Sequence, residues 1–348
     1  MNPGSIALIS SGETTSSGGL VFDALAQGRP SPLRIAMLET PAGFEPNSDR
    51  VLEKVSMFLE QRLQNFKPLL TAIHARRREG AAGTDDPATG AQVFGADLIY
   101  LGAGSPSYTV RHLAESWLWW AVMARLDMGA GVAMASAAAV ASGALVLPVY
   151  EIYKAGHDLH WLPGLDVFGA YGLRLAVLPH WNNNDGGEEL DTSRCFMGLE
   201  RFERLRAMLP ENVSVLGIDE RTGLTFDTSN GEIRVFGLGA VTVLNAAGET
   251  RHAAGATLHA GALGPFHPAD PSRIRPDVWS AALSAAETAT PNLAPSDEVL
   301  ALLAARAAAR TTRDWARADA LRTEIDGLGW RIEDGLSGPR AVPHRVGA

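Results

Sequence analysis

A hydroxyl, an imidazole and a carboxylate are the groups from which nucleophilic hydrolysis is built, and this chain offers them at Ser136, His180 and Glu151. A serine hydroxyl is a poor nucleophile until a base removes its proton. A neutral imidazole does so when a carboxylate fixes its tautomer and stabilises its charged form. Ser136 lies in MASAAAVASG, between the apolar run 132–135 and a series of small residues. That is the setting of a nucleophile elbow, where a tight strand–turn–helix lifts the hydroxyl out of a sheet and the helix N-terminus favours nearby negative charge. An N-cap serine opening an Ala-rich helix has the same local pattern. What separates the two is company: Glu151 lies 15 residues on, and His180 lies 44 on, after the apolar run 173–178.

Other residues have a chemical and an ordinary reading. Asn182, Asn183, Asn184 and Asp185 follow His180 and can line a pocket, or form an Asn-rich turn for local backbone reasons. His157 and His160 flank Asp158, but no companion cysteine or acidic cluster stands at ligand spacing, so no metal site is expected. Gly102 and Gly104 follow an apolar run, yet the third glycine of a dinucleotide loop is missing. Asp219 and Glu220 read as a turn at a strand end, with a role against an arginine-bearing substrate as the alternative. Trp117, Trp119 and Trp120 fall on one helix and suit a core or an interface. No cofactor is implied.

The elements that must position these groups are legible as alternating patterns. Runs 5–10 (SIALIS), 34–39 (RIAMLE), 97–101 (DLIYL), 132–135 and 173–178 are short and apolar. Helical spacing links Leu52, Val55, Phe58, Leu59 and Leu63, and helical patterns recur over 108–126 and 196–209. The expectation is an α/β fold, a mostly parallel sheet covered by helices on both faces. From Val213 the pattern changes to short strands at 213–218, 223–226, 233–236 and 240–244, which predicts an antiparallel extension of that sheet. Residues 76–92 read as a solvated loop. Residues 1–264 form one expected domain, and 265–295 a proline-containing linker with one short helix at 280–288. Residues 296–348 form a small α-helical hairpin, its helices capped by Ser296 and Asp314 and ended by Gly327 or Gly329.

Composition narrows the function classes. The net charge is −9, against a bulk nucleic-acid binder. Nearly half the residues are apolar, enough for a large core. The single cysteine, Cys195, rules out an intrachain disulfide and fits a reducing, cytoplasmic setting. The apolar stretch 131–150 is broken by Ser136, Ser142, Gly143 and Pro148, so it reads as strand plus helix, not as a membrane span. No signal peptide is read at the N-terminus.

The elbow segment Ser136-Ala137-Ala138-Ala139, with Glu151 and Leu178-Pro179-His180-Trp181, resembles the aspartyl-dipeptidase and cyanophycinase family of serine peptidases. Similar stretches occur at ISSGETT near the N-terminus, LGAGSPSYTVRHL (101–113), VLGIDERTGLTFD (215–227) and VFGLGAVTVL (235–244), in family order over about residues 5–245. The resemblance implies a class I glutamine amidotransferase-like fold. Ser136 would be the nucleophile, His180 the base and Glu151 its orienter, with an oxyanion held by the N–H groups of Gly104 and Ala137. It also implies small peptide substrates bearing an aspartyl or β-aspartyl unit, and hence an arginine near the site. Arg194 and Arg201 occupy a region where cyanophycinases carry arginines, with solvated helix arginines as the favoured ordinary reading, and Asn182 and Ser105 are further candidate substrate contacts. Met134, Ala138 and Ser105 depart from the family, whose elbow has glycines and whose loop has asparagine. A catalytically altered or inactive binding protein is therefore the alternative.

The segment 306–340 resembles the C-terminal end of cysteinyl-tRNA synthetase, with Ala318-Asp319-Ala320-Leu321-Arg322 as the shared core. One cysteine cannot supply that enzyme's metal site, so tRNA charging is not expected. Eight arginines against eight acids between Asp297 and Ala348 leave no basic excess. A packing or dimerising appendage is favoured over a tRNA contact, and a homo-oligomer is compatible with the sequence.

Overall fold

The computed structural model describes residues 3–289, 297–312, 314–328, 330–335 and 338–343. It divides into two compact units, one of residues 1–29 and 33–285, the other of 30–32 and 286–348.

The first unit is built on two sheets. In chain order the strands are β1 (Ser5–Ile9), β2 (Arg34–Leu38), β3 (Leu69–Ile73), β4 (Leu98–Leu101), β5 (Gly131–Ala135), the short pair β6 (Leu145–Val146) and β7 (Leu162–Pro163), and β8 (Leu175–Leu178). Then follow β9 (Ser214–Ile218), β10 (Thr222–Asp227), β11 (Glu232–Gly237), β12 (Ala240–Asn245), β13 (Gly248–Ala253) and β14 (Thr257–His259). The larger sheet has the order β14-β11-β10-β1-β5-β4-β2-β3. Its β1, β5, β4, β2 and β3 pair in parallel, while β10, β11 and β14 add on antiparallel beyond β1.

The expected α/β architecture is present, because each central strand feeds apolar side chains to both faces. Ile6 and Leu8 of β1 enter one core, with Ile99, Leu101 and the helix Trp117–Asp127. Ala7 and Ile9 enter the other, with Leu98, Tyr100 and the helices Ser16–Ala26 and Ser48–Arg62. Period-2 alternation in a strand buried on both sides gives this division. Trp117 and Trp119 are buried core residues, and Trp120 packs against them.

Two expectations are corrected here. The late strands do not all extend one sheet: β8, β9, β12 and β13 form a separate four-stranded sheet, with β8 and β9 parallel. Residues 265–285 are not a linker. Ile274, Val278 and Ala282, the last two on the helix Pro276–Ala289, are buried in the first core. Alanine-rich helices bury small faces that a proline count does not reveal. Residues 290–295 and the Ser296 cap lie outside the described residues.

In the second unit the helices Asp297–Thr311 and Trp315–Gly327 pack through Val299, Leu303 and Ile325. Asp314 caps the second helix, accepting from the Arg317 N–H at 3.1 Å. Trp315 is exposed, as is Leu300. A β-hairpin of β15 (Trp330–Gly335) and β16 (Gly338–Pro343) completes the unit, and its Trp330 and Ile332 pack on the helical core. The expected helical hairpin is present, and the β-hairpin adds to it. Alternating Trp330 and Ile332 give this strand the buried face that a hairpin needs.

Candidate active site

β5 ends at Ala135, and the helix Ala137–Ala141 begins one residue later. Ser136 alone makes the turn, at φ 49° and ψ −111°, well outside the ordinary backbone regions. Such a conformation costs on the order of 1–3 kcal/mol and persists only where the surroundings impose it. Here the Ser136 N–H donates to the Ile9 carbonyl at 2.9 Å, and its own carbonyl accepts from Val140 at 3.0 Å. Met134 and Ala138, the departures from the family elbow, are both fully buried in the core. The sharp bend forms with them in place.

His180 follows β8 at φ 56°. Its N–H donates to Ser10 Oγ at 2.7 Å. Its Nε2 lies 3.0 Å from Ser136 Oγ, and its Nδ1 lies 3.0 Å from Glu220 Oε1. A hydroxyl, an imidazole and a carboxylate therefore lie in one hydrogen-bonded line, with Glu220 in the position expected for Glu151. The physical reason is strand order. β8 and β9 are parallel neighbours, so the residues just past their C-terminal ends, His180 and Glu220, emerge side by side. Asp219 points the other way, fully buried, accepting from Ala240 N–H at 2.9 Å and pairing with Arg251 at 2.7 Å.

Glu151 is drawn elsewhere. It belongs to the short helix Val149–Tyr153, of which Val149, Tyr150 and Tyr153 face the Ser136 cleft. Glu151 sits on the opposite face, beside a second cleft that His157 and His160 also line. Its Oε1 accepts from the Ser107 hydroxyl, and its Oε2 is buried without a hydrogen-bond partner.

Glu220 is held by several donors. Asn183 Nδ2 donates to its Oε1 at 2.7 Å, and Ser11 Oγ donates to its Oε2. Asn182 Oδ1 accepts from the Glu220 N–H at 2.7 Å, and so braces the turn. Burial opposes ionisation of this carboxyl, but the hydrogen bond and charge of His180, helped by Asn183 and Ser11, outweigh it and lower the carboxyl to about 2. Glu220, Ser10, Ser11 and Asn183 were not assigned these contacts from sequence. For Ser10, Ser11 and Glu220 the signal is the pair of similar stretches ISSGETT and VLGIDERTGLTFD, whose meeting depends on β1 and β10 pairing, and for Asn183 it is the asparagine run after His180.

Gly104 and Ala137, the expected oxyanion donors, line the same cleft as Ser136 and His180. Position 104 tolerates no side chain, since a Cβ there would lie 1.8 Å from the Pro41 carbonyl oxygen, and its φ is 151°. Ser105 does not reach the cleft. Its hydroxyl caps the helix Pro106–Leu113 and lies 3.0 Å from Ser107 Oγ.

The two expected arginines are engaged by their own chain. Arg194 lies over the Trp181 ring at 4.0 Å and donates to the Trp181 carbonyl at 3.0 Å. Arg201 donates to the Met197 and Phe196 carbonyls at 2.6 and 3.2 Å. Lys154 is the cation that lines the cleft. Cys195 also lines it, and burial pushes its thiol pKa up.

Comparison with known proteins separates the two units. Among solved structures, a peptidase from an acI-B1 Actinobacterium superposes with a TM-score of 0.58 at 22% identity, covering 74% of this chain and 97% of that one. In fold, this chain is similar to a peptidase. A peptidase E protein of Listeria monocytogenes also aligns, at a TM-score of 0.47 and 12% identity over 68% of this chain and 100% of that one. Residues 294–337 match the family described as the cysteinyl-tRNA ligase anticodon binding domain. Over 52 residues the chain is 44% identical to Cysteine--tRNA ligase 1 of Burkholderia lata, a stretch that spans 15% of this chain and 11% of that relative. Among the described residues no helix is long and apolar enough to cross a membrane.

Proposed function

We propose that the chain is a serine-type peptidase that works through an acyl-enzyme at Ser136. The observation that carries this reading is the line Ser136 Oγ, His180 Nε2, His180 Nδ1, Glu220 Oε1, with both gaps at 3.0 Å. His180 takes the hydroxyl proton as Ser136 Oγ bonds to the peptide carbonyl carbon. Collapse of the tetrahedral species breaks the C–N bond, and the same proton passes to the leaving amine. Water, deprotonated by His180, then cleaves the ester and restores the hydroxyl. Glu220 fixes the imidazole tautomer and offsets its positive charge. Backbone N–H groups of Gly104 and Ala137 hold the oxyanion.

The resemblance carries aspartyl or β-aspartyl peptides as substrates. A carboxylate in the cleft needs a nearby cation, and Arg194 and Arg201 are engaged elsewhere, which leaves that part of the reading to Lys154. Fluorophosphonate labelling followed by peptide mass spectrometry tests the serine chemistry. Covalent modification of Ser136, absent in Ser136→Ala, is the expected result. An unmodified Ser136 in folded protein would refute it.

A second reading concerns the tail alone. The match of residues 294–337 to an anticodon binding domain favours an RNA contact. Salt-sensitive retention of tRNA by the full chain would support it. Equal passage through a tRNA filter assay at low and high salt would remove it.

A further inference from the structure

The cleft beside Ser136 has a volume of about 370 Å³, the scale of a small-ligand site. Its walls are Val140, Val149, Tyr150, Tyr153 and Phe196. Val140 and Val149 are buried, so the floor is apolar. Tyr153 and Phe196 pack at 5.8 Å between ring centroids, and Phe196 also lies 5.5 Å from the His180 ring. The apolar wall thus reaches the imidazole itself. The charged lining residues are exposed Lys154 and Asp185, and the Arg201 guanidinium lies 5.9 Å from the centroid of the Tyr153 ring. Lys154 Nζ lies 4.8 Å from the centroid of the Tyr153 ring, and Asp185 accepts from Asn183 at 2.9 Å. No arginine lines the cleft among the described residues: Arg194 donates through one nitrogen to the Trp181 carbonyl, and Arg201 through two to the Met197 and Phe196 carbonyls.

We propose that this cleft is the subsite for the side chain of the acylated residue, and that it selects a large apolar or aromatic one in preference to an aspartyl carboxylate. The proposal rests on the acyl-enzyme reading. A ring placed against the paired Tyr153 and Phe196 trades water for aromatic contact in offset or edge geometry. A carboxylate placed there would lose hydration with only one exposed ammonium to replace it.

The strip of Tyr150, Tyr153 and Lys154 comes from one turn of the helix that also carries Glu151, and Phe196 comes from a left-handed turn. Arg194, Cys195 and Phe196 have φ values of 56°, 59° and 68°. That turn is tied down by the Arg194 and Cys195 N–H groups, which donate to the carbonyls of Trp181 and His180 at 2.9 and 3.2 Å. Phe196 is therefore held in place before substrate arrives.

The test uses the full chain and thiobenzyl esters of Phe, Leu, Ala and Asp, after fluorophosphonate labelling has shown whether Ser136 is reactive. One methylene in an apolar pocket changes kcat/KM by about 10- to 200-fold. The Phe and Leu esters should therefore exceed those of Ala and Asp by at least about tenfold. Tyr153→Ala and Val149→Asp should each shrink the Phe-to-Ala ratio, and a ratio within one variant is insensitive to loss of folded protein. A reactive Ser136 with the Asp ester turned over as fast as the Phe ester would overturn the proposal. So would Phe-to-Ala ratios unchanged in both variants. A Ser136 that never labels would instead overturn the acyl-enzyme reading, and this inference with it.

Discussion

Glu220 and Glu151 are the same side chain in two neighbouring regions, and each accepts from a serine hydroxyl. Glu220 sits two residues past the end of a strand whose parallel neighbour ends two residues before His180. It has the imidazole, an asparagine and a serine as partners. Glu151 sits on the outer face of a short helix whose inner face lines the cleft. Its Ser107 partner continues to Ser105 and so to the loop that carries Gly104. One carboxylate addresses the base and the other braces the loop opposite. The lesson is that sequence distance from a nucleophile says little, whereas strand adjacency decides which acid meets the histidine.

Ser136→Ala is the largest break of this comparison: labelling and turnover should fall by at least about 10³-fold. Glu220→Gln should follow, lowering turnover by about 10²- to 10⁴-fold, because the amide can no longer hold the productive tautomer. Asn183→Ala removes one donor from Glu220 and should cost roughly tenfold, the scale of a hydrogen bond to a charged group. Glu151→Gln keeps an acceptor for Ser107 and leaves His180 untouched, so turnover should stay within about tenfold of the parent. Steady-state kinetics on an activated ester checks all four. If Glu151→Gln proved as damaging as Glu220→Gln, the assignment of the acid would invert.

The comparison can also be sharpened by acid. Glu220 is lowered from 4.5 to about 2 in the folded protein. The unfolded chain therefore takes up this proton first as pH falls, and the folded state loses relative stability. The contribution is fully present above about pH 4.5 and vanishes as pH drops through about 2. Denaturant unfolding of parent and Glu220→Gln should show a stability gap that narrows across that window. A gap of constant size would mean that the carboxylate is not stabilised in its charged form.

Much of this was legible beforehand. Buried strands such as SIALIS and DLIYL are continuous apolar runs, and their alternate residues do feed two separate cores. Ser136 and His180 each follow such a strand, and the structure brings them within hydrogen-bond reach. The helix Pro276–Ala289 hides within a linker-like stretch because its buried face is small. β3, LLTAI, carries a weaker signal, for as an edge strand it is only partly buried. Arg194 stacks on Trp181 and donates to its carbonyl, while Arg201 bonds the Met197 and Phe196 carbonyls and lies over the Tyr153 ring, contacts that no local pattern announces.

The amino-acid sequence by itself determined which segments would be buried and where the chain must bend, since apolar periodicity, glycines and small residues act locally. It also determined which chemical groups stand at those bends. Only the tertiary structure decided their partners. Parallel pairing of β8 with β9 set Glu220 beside His180, and pairing of β1 with β10 set Ser11 beside Glu220. Pairings between strands far apart in the chain arise from packing the whole sheet, and no local pattern encodes them.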